Sequence, residues 1–141
     1  MINNKIGKTK ILIVDDIPAN IIAMKTLLKS VNAEFFEATN GNDALSLAIK
    51  HNFALVLLDV QMPEMSGYEV AELMHNTEKT KYIPIIFVTA NMMEEASVRK
   101  GYSVGAIDYI TKPIDKEILC SKVHFFLESF QQKEELRILR A

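Results

Sequence analysis

One cysteine in 141 residues rules out any disulfide within the chain. Cys120 stands in an apolar helical run and reads as a buried thiol, which suits a reducing compartment. Positive charge is not in surplus either: 16 Lys+Arg face 18 Asp+Glu, a formal net charge of −2. Proteins that draw affinity from nucleic acid phosphates need a basic excess, so no direct nucleic-acid binding is expected. Long apolar runs are also missing. Residues 1–10 carry lysines but nothing like a signal peptide, and no segment reaches the roughly 20 apolar residues of a membrane span. No membrane insertion and a cytoplasmic location are therefore expected. Internal repeats and low-complexity tracts are absent.

What is present is a chain that is 49% hydrophobic and 24% charged, enough for a single globular domain with one substantial core. Four aliphatic runs, at 11–14, 54–58, 83–88 and 106–110, lack polar alternation, as strands buried on both faces do. A fifth run at 34–38 is more mixed and suits an edge strand. Helical spacing fills the intervals: Ile21, Met24 and Leu28, then Ala44, Leu47 and Ala48, then Val70, Leu73 and Met74. Cap signals mark the boundaries, with Asn40 before Asp43, Ser66 three residues before Glu69, and Asp115 opening the last helix. Gly101 and Gly105 bracket the exit of a fourth helix. Strict alternation of strand and helix with short loops predicts an α/β fold, a parallel sheet with right-handed crossovers and helices on both faces.

The last segment outruns what such a sheet needs for cover. From Ser129 it turns polar, with sparse apolar positions at Phe130, Leu136 and Leu139. The reading is a compact domain over 8–128 and a helical extension or linker over 129–141, projecting toward a second copy or a further domain.

Ligands of open parallel sheets bind beyond the carboxyl ends of the strands. The residues there are Asp15 and Asp16, then Asp59, then Thr89, then Lys112 before Pro113. Three carboxylates at one sheet edge repel, each pair by roughly 3 kcal/mol at about 5 Å and an effective dielectric near 20. A hard divalent cation such as Mg²⁺ offsets that repulsion while keeping sites for water and phosphate oxygens, and Lys112 adds positive charge. An aspartate can attack phosphorus to give an acyl phosphate, with Thr89 and Lys112 sharing the developing charge. Taken singly, Asp15 and Asp16 could be helix caps, Thr89 a strand residue and Lys112 a solvated charge. Their shared strand-end placement favours chemistry. The four methionines Met62, Met65, Met92 and Met93 read as loop and core fillers, and His51, His75 and His124 lie far in sequence from the acidic strand ends.

Four segments, ILIVDD, LVLLDVQMPEMSG, IIFVTA and DYITKP, resemble the signatures of response-regulator receiver domains, in order and at the matching strand ends. The resemblance covers roughly 8–128. It implies a flavodoxin-like (βα)5 fold with a doubly wound sheet of order 2-1-3-4-5. It further implies that Asp59 is the phosphoacceptor, that Asp16, Asp59 and the backbone carbonyl of Gln61 ligate Mg²⁺, and that Asp15 acts through a water. Thr89 and Lys112 would contact the phosphoryl oxygens, and Lys112-Pro113 would be a cis peptide. Thr89 and Tyr109 would form the switch that alters the surface of the fourth helix, fifth strand and fifth helix. Gln61 and Asn91 would tune the lifetime of the acyl phosphate. The partners implied are a histidine kinase or phosphotransfer protein, a homodimer through that surface or the C-terminal helix, and a covalently linked output or kinase domain.

Two other functions share parts of this pattern. A haloacid-dehalogenase-type phosphatase also uses an aspartate after a hydrophobic strand, but it wants a second acid two residues on, where Gln61 stands. A flavodoxin-like electron carrier needs hydroxyl and amide donors after the first strand to cradle a phosphate, and Asp15-Asp16 would repel it.

Overall fold

The computed structural model describes residues 8–90 and 108–140. Five strands alternate with helices: β1 (Lys10–Val14), α1 (Pro18–Leu27), β2 (Glu34–Ala38), α2 (Gly41–Lys50), β3 (Leu55–Asp59), α3 (Gly67–His75), β4 (Ile85–Thr89), β5 (Asp108–Thr111) and α4 (Lys116–Arg140). The fourth helix of the sequence pattern, with Gly101, Gly105, Asn91, Met92 and Met93, falls outside the described residues, so α4 is the pattern's fifth. All strand pairs are parallel, and the sheet order is β2-β1-β3-β4-β5.

Alternation along each strand divides the aliphatic residues between two layers. Leu12, Val14, Val56, Leu58, Phe87 and Tyr109 face α2 and α3. Ile11, Ile13, Leu55, Leu57, Ile86 and Ile110 face α1 and α4. Central strands β3 and β4 are buried at every position, whereas β2 at the sheet edge is buried only at Ala38. The sheet is thus covered by helices on both faces, as the uninterrupted apolar runs require.

Local chemistry sets the boundaries. Asn40 accepts a hydrogen bond from the Asp43 N–H, Ser66 and Glu69 form a reciprocal capping box, and Asp115 accepts from the N–H groups of Glu117 and Ile118. The run 83–88 yields a strand only from Ile85. Pro84 has no N–H to give a ladder, and the Ile83 N–H is already donated to the Thr80 carbonyl. At their far ends β3 and β4 reach one residue beyond the aliphatic runs, to Asp59 and Thr89. Three side chains depart from expectation. Leu73 is 45% exposed on α3, Cys120 is half-buried with its thiol 3.6 Å from the Leu27 carbonyl, and Phe130 packs against the core instead of projecting from it. The helix runs unbroken past Ser129, and Gln131 donates to the Thr9 hydroxyl at 3.2 Å, so the chain stays docked for some residues beyond 128.

Gly67 brings α3 close against the carboxyl end of β3. Its N–H donates to the Val60 carbonyl at 2.8 Å, and a Cβ there would lie 2.2 Å from the Asp59 carbonyl oxygen. Backbone cannot yield as a flexible side chain does. Gly67→Ala is therefore expected to cost about 1–3 kcal/mol, read as a lower urea midpoint with an unchanged m-value.

Candidate functional site

The ladder carries the strand ends to one level. Val14 pairs with Leu58 and Asp59 with Val88, so one step beyond β1 places Asp15 level with Asp59. Thr89 pairs with Thr111, and Lys112 follows immediately, its N–H donated to the Thr89 carbonyl at 2.9 Å. The Lys112-Pro113 peptide is cis.

Asp15, Asp16 and Asp59 form one cluster, with a carboxylate oxygen of each within 4.8 Å of the others. Asp15 and Asp59 are buried and Asp16 half-buried. One Asp15 oxygen accepts from the Ile17 N–H at 2.9 Å and the Asn20 amide at 3.3 Å. The Lys112 ammonium stands 3.7 Å from Asp15 Oδ2 and 3.7 Å from Asp59 Oδ1. A cleft of about 180 Å³ opens onto this cluster, lined among others by Asp16, Asn20, Asp59, Gln61, Thr89 and Lys112.

Burial pushes the Asp59 carboxyl up to about 6, helped by the charges of Asp15 and, more weakly, Asp16, and opposed by Lys112. Three acids against one ammonium leave the site acidic. The donor set fits a small hard cation: oxygen ligands only, two of them buried, close enough to share an ion with water completing the shell. Asp15, Asp16 and Asp59 are the carboxylates among the described residues that could hold it.

Tyr109 lies outside the cleft lining. It is 4% exposed, with its ring 5.5 Å from that of Phe87, which in turn meets Tyr68 edge-on at 4.9 Å. Because Phe87 pairs with Tyr109, Thr89 and Tyr109 are diagonal neighbours on the same sheet face. Asn91 lies outside the described residues. Sequence reasoning missed Asn20 and Gly67. Pro18 at the start of α1 could have flagged Asn20, a polar residue in a first turn that must face the strand end it has just left.

A family model described as the response regulator receiver domain matches residues 11–124. The chain belongs to this family. A Vibrio cholerae protein named "Probable cyclic di-GMP phosphodiesterase" is 38% identical over 134 residues, covering 93% of this receiver chain but 29% of its own length. Protein PilH of Pseudomonas aeruginosa is 34% identical over 118 residues, 84% of this chain and 97% of PilH. Among solved structures, a CheY-like receiver domain protein from Methanospirillum hungatei superposes with a TM-score of 0.79 at 31% identity, covering 91% of this chain and 99% of that one. The receiver chain thus spans under a third of the phosphodiesterase relative's length. The phosphodiesterase name describes that longer protein, and what this chain carries is a signalling domain.

The raised Asp59 pKa has a stability consequence without metal. An unfolded chain releases this proton near 3.8, whereas the folded one keeps it to about 6, so stability falls as pH rises through that interval. In EDTA above pH 6, Asp59→Asn should stabilise the protein by about 1–2 kcal/mol, allowing for solvent screening at the cleft. The gain should vanish below pH 4, as followed by thermal melts across pH.

Proposed function

We propose that this receiver domain accepts a phosphoryl group on Asp59 from the phosphohistidine of a histidine kinase or phosphotransfer protein, the partners with which receiver domains interact. The observation that carries the proposal is the convergence of three carboxylates, Lys112 and Thr89 on one cleft.

Asp59 Oδ attacks phosphorus in line with the leaving imidazole. The P–O bond forms as the P–N bond breaks, and the electron pair departs with the imidazole nitrogen. Mg²⁺, when bound, supplies positive charge that shields the attacking carboxylate from the phosphoryl oxygens. Asp16, Asp59 and the Gln61 carbonyl would hold that ion, and Asp15, bonded to Asn20, would act through a water. Lys112 is the ammonium that takes up negative charge on the transferring group, and Thr89 offers its hydroxyl to a phosphoryl oxygen. Electrostatic positioning of this kind is most of what phosphoryl transfer asks of a protein.

Thr89 then couples to Tyr109 through their shared sheet face. Drawn toward the phosphoryl group, Thr89 alters the space above Tyr109 and shifts a pre-existing equilibrium of the surface around β5. Gln61 and Asn91 carry neutral amides and cannot act as bases, so they adjust how long the acyl phosphate survives. Residues 8–128 act as the receiver domain and 129–141 as its helical extension. The setting proposed is the cytoplasm. No helix among the described residues is long and apolar enough to cross a membrane.

Intact-mass measurement after incubation with acetyl phosphate and Mg²⁺ tests the proposal. The wild-type protein should gain one phosphoryl mass, lost on chelation of the metal before incubation. Asp59→Asn should gain none; an equal gain in that variant would place the chemistry elsewhere.

A further inference from the structure

The two oxygens of the Asp15 carboxylate are held differently. Oδ1 accepts from the Ile17 N–H at 2.9 Å and from the Asn20 side-chain amide at 3.3 Å. Oδ2 instead faces the Lys112 ammonium at 3.7 Å. The torsion that turns a carboxylate about its last bond is soft and nearly two-fold, so a single donor leaves its plane poorly fixed. A second donor on the same oxygen, one turn further along the chain, fixes it. The Ile17 N–H is backbone that any residue except proline would supply. Asn20 is the donor that depends on residue choice.

By local criteria alone, position 20 is a poor place for an amide. Ile17 is the N-cap of α1 and Pro18 follows it, so Asn20 stands third in the helix, within its first turn. The free N–H groups there favour Asp or Glu, and asparagine is a weak helix former. The other described helices comply: Asp43, Glu69 and Glu117 stand in the first turns of α2, α3 and α4, whereas α1 has no acid there. A carboxylate at 20 would be a fourth like charge beside Asp15, Asp16 and Asp59. An amide donates to Asp15 without adding charge, so the demands of the site override the preference of the helix.

We propose that Asn20 is a positioning residue for the phosphoryl-transfer site: by holding Asp15 Oδ1 it sets the carboxylate plane, so that Oδ2 stays turned toward Lys112 and the cation site. The inference rests on the phosphoacceptor reading of Asp59. Asn20 is half-buried, and with Lys112 it lines both the cleft at Asp59 and a neighbouring groove of about 250 Å³ bordered by Met24, Leu27 and Ile114. It therefore stands at the margin of the site, bonded to Asp15 and outside the set of groups proposed to hold the ion. Removing a partner that orients a metal-ligating group typically weakens the metal about 10–100-fold. Asp15 works at one remove, through a water, so the lower end of that range is expected.

Mn²⁺ titration of the 141-residue protein, followed by water-proton relaxation, tests the inference. Asn20→Leu keeps the side-chain volume and loses the amide, and it should bind Mn²⁺ about tenfold more weakly than wild type. In an Asp15→Ala background the same substitution should change affinity by less than about twofold, because the group it positions is gone. Phosphorylation by acetyl phosphate should need about tenfold more Mg²⁺ for half its maximal rate in Asn20→Leu, with the maximal rate within about twofold of wild type. General damage to the fold would lower that maximal rate instead. Wild-type Mn²⁺ affinity in Asn20→Leu, an equal loss with and without Asp15, or a lowered maximal rate at an unchanged Mg²⁺ requirement would each overturn the positioning role. A wild-type protein that binds Mn²⁺ but gains no phosphoryl mass would overturn the phosphoacceptor reading, and the inference with it.

Discussion

Like charges held together at the end of a sheet are what the rest of this molecule is built to tolerate. Asp15, Asp16 and Asp59 have oxygens within 4.8 Å of one another, two of the three residues are buried, and one ammonium stands 3.7 Å from the buried pair. Such a cluster survives only where rigid strands hold it and where opposite charge can enter. The sheet supplies the first condition. Lys112 supplies part of the second, and a divalent cation would supply the remainder.

Rigidity comes from the two-layer core. Strands β1, β3 and β4 are clamped from both sides, so the residues that follow them cannot drift apart without exposing Leu57, Phe87 or their neighbours. Gly67 sets α3 directly on the Asp59 backbone, which makes this close approach also a constraint on the Asp59 carboxylate. Thr89 shares a sheet face with Tyr109, and Tyr109 packs on Phe87 in the core layer beneath α3. Helix α4 belongs to the other layer.

Much of this was legible before any coordinates. Aliphatic runs without polar alternation identify parallel strands, and the polar residue that ends each run must sit at the sheet's carboxyl edge. That logic reaches Asp15, Asp59, Thr89 and Lys112. The strand order 2-1-3-4-5 came from family resemblance, since periodicity does not say which parallel strands are neighbours. Residues whose significance is purely tertiary escaped notice. Asn20 matters because α1 turns it back onto Asp15, and Gly67 because a backbone passes where its side chain would be. Phe130 was misjudged for a related reason: polar neighbours suggested a solvated helix, but one aromatic in register with Phe126 and Leu127 is enough to keep the helix docked.

The central claim is that these three carboxylates form a single cation site, and direct counting of bound metal is its sharpest test. Free Mn²⁺, a paramagnetic substitute for Mg²⁺, can be followed by electron paramagnetic resonance as it is titrated into the protein. One ion should bind per chain, with affinity falling at least tenfold in Asp16→Ala and unchanged in Asp43→Ala, whose carboxylate belongs to the α2 cap. Equal binding by the wild-type and Asp16→Ala proteins would contradict the account.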